Sequence, residues 1–161
     1  MIRDAKISDA KEIVLINING WKQTYKDIFP EDFLNKLNPN DEINIEKCRQ
    51  KIEEYAVYEI NNKIVGFIRY GKNRKGYNDT YAEIYAIYVD YNYQKNQVGT
   101  KLINYAFSKL KKNYKYALIS TLKENSANIF YQKIGGEYIG TCLFKLEKNE
   151  YIENIYKFKL Q

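Results

Sequence analysis

The chain has 161 residues, of which 45% are hydrophobic and 29% charged, as in an ordinary globular protein. It contains no histidine, which excludes a Cys/His zinc site and every catalytic mechanism with a histidine base. The net charge of +6 fits an anionic partner, such as nucleic acid or a phosphate-rich cofactor, but also a lysine-rich solvated surface.

Hydrophobic periodicity and turn residues predict alternating helices and strands along the whole chain. In chain order the predicted elements are strand 1–6, a helix from Ser8 past Trp21, a helix from Pro30, a helix ending near Glu53, strands 55–60, 63–70 and 82–89, a helix over 98–110, strand 116–121, a helix over 127–134, and strands 138–146 and 151–160. Together they predict a mixed α/β (α+β) sheet in one domain, residues 1–161.

Two positions carry local predictions of their own. Gly20 lies inside the first helical pattern and costs helix stability, so we expect a bend or break near it. Asn61 and Asn62 separate two predicted strands, and asparagine tolerates the positive φ that a two-residue hairpin turn requires. No apolar run is long enough to cross a bilayer and the N-terminus lacks a secretion signal, so we expect a cytoplasmic protein without a membrane partner.

The densest functional signal is a strand, Ile84–Val89, that leads through a polar turn into an amphipathic helix. The first N–H groups of a helix have no partner within it and favour an anion. Gly99 permits close approach of a ligand, and Lys95 and Lys101 add positive charge. The arrangement suits a pyrophosphate, although a plain strand-to-helix connection has the same outline.

Two segments resemble the GNAT superfamily of N-acetyltransferases. The turn Gln94–Gly99 is similar to the family's phosphate-binding pattern Gln/Arg-x-x-Gly-x-Gly/Ala, with Gln97 in place of the first glycine. The second segment, residues 124–136, is similar to the family's Asn-small-Ala and Phe-Tyr-x-x-x-Gly-Gly block. Residues 21–34 resemble a segment of one subgroup that includes polyamine acetyltransferases.

The resemblance implies a single-domain GNAT-like fold, with a mixed, mostly antiparallel seven-stranded sheet flanked by about four helices. It implies acetyl-CoA as the acyl donor and no metal. The strand would pair through its backbone with the pantetheine arm, the turn would hold the pyrophosphate, and one asparagine would lie near the cofactor. The implied cofactor-binding residues are Ile87, Tyr88, Val89, Gln94, Lys95, Asn96, Gln97, Val98, Gly99, Thr100 and Asn125.

The resemblance also implies that Tyr131 protonates the departing thiolate, a role that suits a tyrosine hydroxyl. Tyr131 also fits a packing role on the apolar face of its helix. For the base that deprotonates the amine, Glu83 is the first candidate, because alternation places it on the strand face of Tyr85 and Ile87. Asp90 is the second candidate, and either could act through a water.

The substrate is expected to be a small primary amine, with a polyamine-like amine favoured by the resemblance. Trp21, Tyr25, Phe29 and Tyr85 are candidate substrate-binding residues; packing of the first helices onto the sheet would also explain the first three. We expect no nucleic-acid partner, and family members are often dimers, so a homodimer fits the resemblance.

Two other functions fit parts of the pattern. Gln97, which replaces the first glycine of the family's phosphate-binding pattern, suits a non-catalytic acyl-CoA-binding or sensor domain. A CoA-binding measurement paired with a turnover assay would distinguish such a domain from an enzyme. The pI of about 9.1 and 17 tyrosines suit a nucleic-acid-binding domain, but the alternating aromatic and basic positions of such a sheet face are missing.

Overall fold

The computed structural model describes residues 1–161. The strands are β1 (Ile2–Asp4), β2 (Tyr55–Ile60), β3 (Lys63–Lys72), β4 (Tyr81–Val89), β5 (Tyr116–Leu122), β6 (Glu137–Leu146) and β7 (Asn149–Lys159). The α-helices are α1 (Ala10–Thr24), α2 (Glu31–Lys36), α3 (Glu42–Gln50), α4 (Val98–Leu110) and α5 (Ala127–Lys133). Short 3-10 turns lie at Ile7–Asp9, Ile52–Glu54 and Tyr91–Tyr93. None of the helices is both long and apolar enough to span a membrane.

The seven strands form one sheet in the order β1-β2-β3-β4-β5-β7-β6. Strands β4 and β5 pair in parallel, while β1 with β2, β2 with β3, β5 with β7 and β6 with β7 pair antiparallel. The prediction of a mixed, mostly antiparallel seven-stranded sheet is confirmed, with five α-helices where about four were expected. The chain divides into two compact units, Met1–Tyr70 with Ala86–Ala106 and Gly71–Tyr85 with Phe107–Gln161.

The core of the first unit forms between α1, α3 and strands β2 and β3. Helix α1 contributes Ala10, Ile13 and Val14, whose spacing of three and four residues places them on one helix face. They pack with Ile45 of α3 and Phe67 of β3, all fully or almost fully buried. The apolar periodicity of the sequence therefore corresponds to a real buried helix face.

The hairpin between β2 and β3 forms as predicted. Asn61 and Asn62 have φ values of 49° and 61°, and the ladder closes with Ile60 opposite Lys63. Two successive positive φ values give the turn a twist that matches the twist of the flanking strands.

The first helix, predicted to begin at Ser8, begins at Ala10 as α1. The carboxylate of Asp9 accepts a hydrogen bond from the backbone N–H of Lys6 at 2.8 Å. The same carboxylate accepts from the guanidinium of Arg3, which also donates to Glu59. A long-range ion-pair network therefore holds this helix start, and the local sequence gives no sign of it.

The expected break near Gly20 is wrong, because α1 continues through it to Thr24. A Cβ atom on Gly20 would lie 2.3 Å from Cδ1 of Tyr88 and 2.9 Å from Cγ of the same ring. The glycine therefore allows α1 to pack closely on this ring of β4, a requirement that helix propensity alone does not reveal.

We expect Gly20→Ala to destabilise the protein by up to about 2 kcal/mol. Alanine favours a helix interior by about 1 kcal/mol, but forcing a methyl group into a packed contact costs about 1–3 kcal/mol. The clash decides the sign, since it falls on the base of the Tyr88 ring. Thermal unfolding should show a Tm lower by up to about 8 °C. Asn19→Ala, at an exposed position of the same helix, is the control; a stabilised Gly20→Ala would contradict the packing explanation.

The second unit is centred on β5, which pairs with β4 on one side and β7 on the other. Its buried residues include Leu118 and Ile119 of β5 and Tyr156 and Phe158 of β7. The ring of Phe107 in α4 lies 5.2 Å from that of Phe158. This core supports the strand and helix positions that carry Glu83 and Tyr131.

Candidate active site

The predicted pyrophosphate turn leads into α4, a helix of 13 residues. The first helical hydrogen bond runs from the N–H of Lys101 to the carbonyl oxygen of Gln97 at 3.0 Å. The N–H groups of Val98, Gly99 and Thr100 precede this bond, so the helix itself offers them no acceptor. They are the donors that an anion could use.

Two residues of the turn have left-handed backbone conformations. Lys95 has φ of 65° and Gln97 has φ of 60°, a region that glycine adopts without steric cost and other residues enter at about 1–2 kcal/mol. Gln97 stands where the family pattern has glycine. The backbone therefore follows a path that suits glycine, although the residue carries a Cβ.

The first residues of the turn use their side chains to shape it. Gln94 donates from Nε2 to the carbonyl oxygen of Val89 at 3.2 Å. Asp90 accepts from the N–H of Asn92 at 3.0 Å and pairs with Lys63 at 3.7 Å. Asp90, the second candidate for the base, therefore has a structural part in the turn.

Tyr88 directs its side chain toward α1, where its hydroxyl lies 3.2 Å from that of Tyr25. Its ring also packs near Phe67, with 6.0 Å between centroids. A role of Tyr88 in cofactor binding would therefore involve its backbone, as the resemblance implies.

Three of the candidate substrate-binding residues, Trp21, Tyr25 and Phe29, belong to an aromatic cluster of α1, α2 and their connection. Trp21 contacts Tyr25, Phe29 and Phe33 with ring centroids 5.2–6.3 Å apart. Phe29 is only 4% exposed and packs 4.6 Å from the ring of Tyr25. Of the three predicted residues, Trp21 lines a cavity of about 530 Å³ in the first unit.

This cavity combines apolar, aromatic and cationic groups. Its aromatic and cationic lining residues are Trp21, Phe33, Tyr55, Phe67, Lys47, Lys51 and Arg69. Arg69 is paired with Glu54 at 2.6 Å, and burial raises the pKa of Tyr55 to about 12. The volume suits a small molecule.

In the second unit, Glu83 is 2% exposed and is held by two cationic residues. Its Oε2 accepts from the backbone N–H of Arg74 at 2.9 Å and from Nε at 3.1 Å, and its Oε1 accepts from Nη2 at 3.3 Å. The ammonium of Lys75 lies 4.0 Å from Oε1. Glu83 is therefore a buried carboxylate whose two oxygens both have hydrogen-bond or ion-pair partners.

Lys75 links Glu83 to a second carboxylate. Its ammonium lies 3.8 Å from Oε1 of Glu153 and 3.6 Å from Sγ of Cys142. Burial raises the pKa values of Glu153 and Cys142. Arg74, Lys75 and Glu153 were not among the predicted site residues, because their pairing joins a loop to distant strands and no local pattern signals it.

Tyr131 lies on α5 and is 7% exposed. Its ring packs 6.0 Å from that of Tyr156 and 5.5 Å from that of Phe130. Its carbonyl oxygen accepts from the N–H of Gly136 at 2.9 Å, which ends the helix. The ring therefore has a packing role, and a chemical role of the hydroxyl is compatible with it.

Two asparagines fix the start of α5. Asn125 accepts from the N–H of Ala127 at 2.9 Å. Asn128, which was not among the predicted site residues, donates to the carbonyl oxygens of Leu122 and Asn125 and accepts from the hydroxyl of Tyr156 at 2.7 Å. Asn128 thereby ties the helix that carries Tyr131 to strands β5 and β7.

Comparison with known proteins decides the family. The model of the acetyltransferase (GNAT) domain matches residues 51–135, a range that contains the strand, the turn and nearly all of the second sequence block. The chain belongs to the GNAT acetyltransferase family. The resemblance seen in the sequence is confirmed, and with it the prediction that the protein is an N-acetyltransferase.

Relatives and solved structures agree with this assignment. The chain is 27% identical over 146 residues to the uncharacterized N-acetyltransferase YuaI of Bacillus subtilis, covering 90% of this chain and 84% of that protein. The PaiA N-acetyltransferase of Thermoplasma acidophilum, solved with coenzyme A, is similar with a TM-score of 0.76 at 20% identity, over 99% of this chain and 98% of that one. YncA of Salmonella typhimurium, a putative acetyltransferase solved with acetyl-CoA, is similar with a TM-score of 0.74 at 16% identity, over 100% of this chain and 94% of that one. These structures share the GNAT fold with this chain.

Proposed function

We propose that this acetyltransferase transfers the acetyl group of acetyl-CoA to a primary amine, with a small polyamine-like amine as the favoured acceptor. The observation that carries the proposal is the turn before α4 in a chain of this family. It combines the free N–H groups of the helix start with left-handed backbone conformations at Lys95 and Gln97. Acetyl-CoA supplies an activated thioester, so the protein needs only to bind, orient and move protons.

The residues of the turn fit a pyrophosphate. The N–H groups of Val98, Gly99 and Thr100 would donate to phosphate oxygens, and Lys95 and Lys101 would supply positive charge. Gln94, Asn96 and Gln97 complete the proposed site. The path of the turn does not depend on a glycine at position 97, which supports cofactor binding in spite of the departure from the family pattern.

The proposed path of the pantetheine arm lies along Ile87–Val89. The ladder between β4 and β5 extends from Tyr81 opposite Tyr116 to Ile84 opposite Ile119, although β4 continues to Val89. Backbone groups past the end of a ladder can pair with a ligand. Asn125 remains a proposed neighbour of the cofactor.

In the proposed reaction the amine nitrogen attacks the thioester carbonyl. The C–N bond forms, the C–S bond breaks, and the electron pair of that bond leaves on sulfur. Tyr131 gives its hydroxyl proton to the thiolate. Glu83 takes the proton that the ammonium must lose before it attacks, directly or through a water, and Asp90 is the second candidate. The second proton, which the nitrogen loses as the amide forms, passes to water, and water returns a proton to the Tyr131 phenolate.

The charge pattern around the carboxylates favours a cationic acceptor. Glu83 and Glu153 are both within 4.0 Å of the ammonium of Lys75, so these two carboxylates already bind one primary ammonium of the chain itself. Tyr85 beside Glu83, and Trp21, Tyr25 and Phe29 of the aromatic cluster, remain proposed substrate contacts. A homodimer also remains a prediction.

Acetyl-CoA should raise the Tm, because a ligand that binds only the folded state stabilises it. At a concentration of 100 times the Kd the gain is about 2.7 kcal/mol, or about 5–10 °C for a chain of this size. Thermal unfolding with and without acetyl-CoA measures it. An unmoved Tm at saturating acetyl-CoA would contradict the proposed donor.

Two variants separate a specific turn site from general stabilisation. Gly99→Val places a branched side chain among the proposed donors and should lose most of the acetyl-CoA shift. Gln97→Gly removes a Cβ at a left-handed position and should keep or increase it. If calorimetry shows that Gly99→Val binds CoA as well as the parent, the pyrophosphate does not bind at this turn.

A further inference from the structure

The side chain of Arg74 occupies a place built for a cation. Its guanidinium forms two hydrogen bonds to the Glu83 carboxylate, through Nε and Nη2. The carbon Cζ of the same group lies 4.0 Å from the centroid of the Tyr85 ring. A buried carboxylate on one side and an aromatic face on the other attract a positive charge strongly.

The aromatic face is fixed before any ligand arrives. The hydroxyl of Tyr85 donates to the carbonyl oxygen of Lys72, which anchors the ring to the loop after β3. The loop itself is held by Asn73, which is 8% exposed. Asn73 donates to the carbonyl oxygens of Tyr77 and Tyr81 and accepts from the N–H of Tyr77. These hydrogen bonds hold the backbone of the loop in its observed path.

The side chain of Arg74, in contrast, can leave. It is 57% exposed, whereas that of Lys75 is 21% exposed and that of Glu83 is 3% exposed. When the guanidinium swings out, Glu83 keeps the N–H of Arg74 at 2.9 Å and the ammonium of Lys75 at 4.0 Å. The buried carboxylate therefore retains partners, and the exchange does not require an isolated buried charge.

The charges around Glu83 come from several elements. The cations Arg74 and Lys75 lie on the loop after β3, and the carboxylate Glu153 lies on β7. The thiol of Cys142 on β6 contacts Glu153. The two carboxylates, Glu83 and Glu153, are balanced by the two cations. Displacing Arg74 leaves one cation with two carboxylates, so the region gains affinity for one positive charge.

We propose that Arg74 is a specificity-determining residue, whose guanidinium covers Glu83 and Tyr85 until the ammonium group of the acceptor displaces it. The inference rests on the proposed function and gives it a substrate class, amines that are positively charged when they bind. A neutral acceptor would gain nothing from this exchange and could not displace the guanidinium.

The test compares the parent with Arg74→Ala and Arg74→Lys. Calorimetry measures the binding of putrescine, a diamine, and of 1,4-butanediol, its uncharged counterpart, with CoA present. Arg74→Ala should bind putrescine about three- to tenfold more tightly, since a half-exposed ion pair and a cation–π contact no longer compete. Arg74→Lys retains a competing cation and should stay close to the parent. Butanediol should bind none of them measurably.

Turnover adds a second measurement. The KM for putrescine should fall in Arg74→Ala while the KM for acetyl-CoA is unchanged, and thermal unfolding should show a folded protein. Unchanged or weaker putrescine binding in Arg74→Ala overturns the inference, as does tighter binding of butanediol. Failure of the proposed function looks different: acetyl-CoA would not shift the Tm of the parent, and no amine would be acetylated.

Discussion

Tyr131→Phe should lower kcat by about 10²–10⁴-fold, the usual contribution of a general acid. The thiol of the product has a pKa near 8.5, so the expelled thiolate gains from a proton donor. The KM for acetyl-CoA should change little, because the help comes mainly in the transition state. Steady-state kinetics with separate determination of kcat and KM measures both.

The fold should survive this change. The ring that packs on Tyr156 and Phe130 is retained, and only the hydroxyl is removed. Tyr138→Phe, at a position 54% exposed on β6, removes the same group elsewhere and should leave kcat unaffected. A loss of only a few-fold in Tyr131→Phe would mean that water protonates the thiolate and that the residue acts by packing.

Glu83→Gln should cause the second large loss, about 10²–10⁴-fold in kcat if Glu83 is the base. Glutamine has a similar shape and can accept a hydrogen bond from Arg74, but it cannot take a proton. The loss should be greatest at low pH, where the amine is most strongly protonated. A pH–rate profile of parent and variant measures it.

Two controls accompany Glu83→Gln. Because the residue is buried and paired with Arg74 and Lys75, thermal unfolding must show that the variant is folded. Asp90→Asn tests the second candidate while its side-chain oxygen can still accept from Asn92. A Glu83→Gln profile that overlays the parent's, together with a large loss in Asp90→Asn, would move the base to Asp90.

The sequence by itself determined the elements and the family. Helices and strands were predicted close to their observed bounds. Each element buries one face, and the spacing of its apolar residues indicates both the type of element and the buried face. The Asn61–Asn62 turn was predicted for the same kind of local reason, since positive φ restricts residue type. The turn before α4 and the block on α5 are contiguous segments, so their resemblance to the family was visible without a structure.

Only the tertiary structure decided which residues act on one another across the chain. Gly20 appeared to weaken a helix, but it makes room for the ring of Tyr88, 68 positions away. Glu83 was expected from strand alternation, but its pairing with Arg74 and Lys75 depends on the path of a loop held by Asn73. Hydrogen bonds and ion pairs between distant positions leave no periodic trace in a sequence, because they require only that two side chains meet after folding.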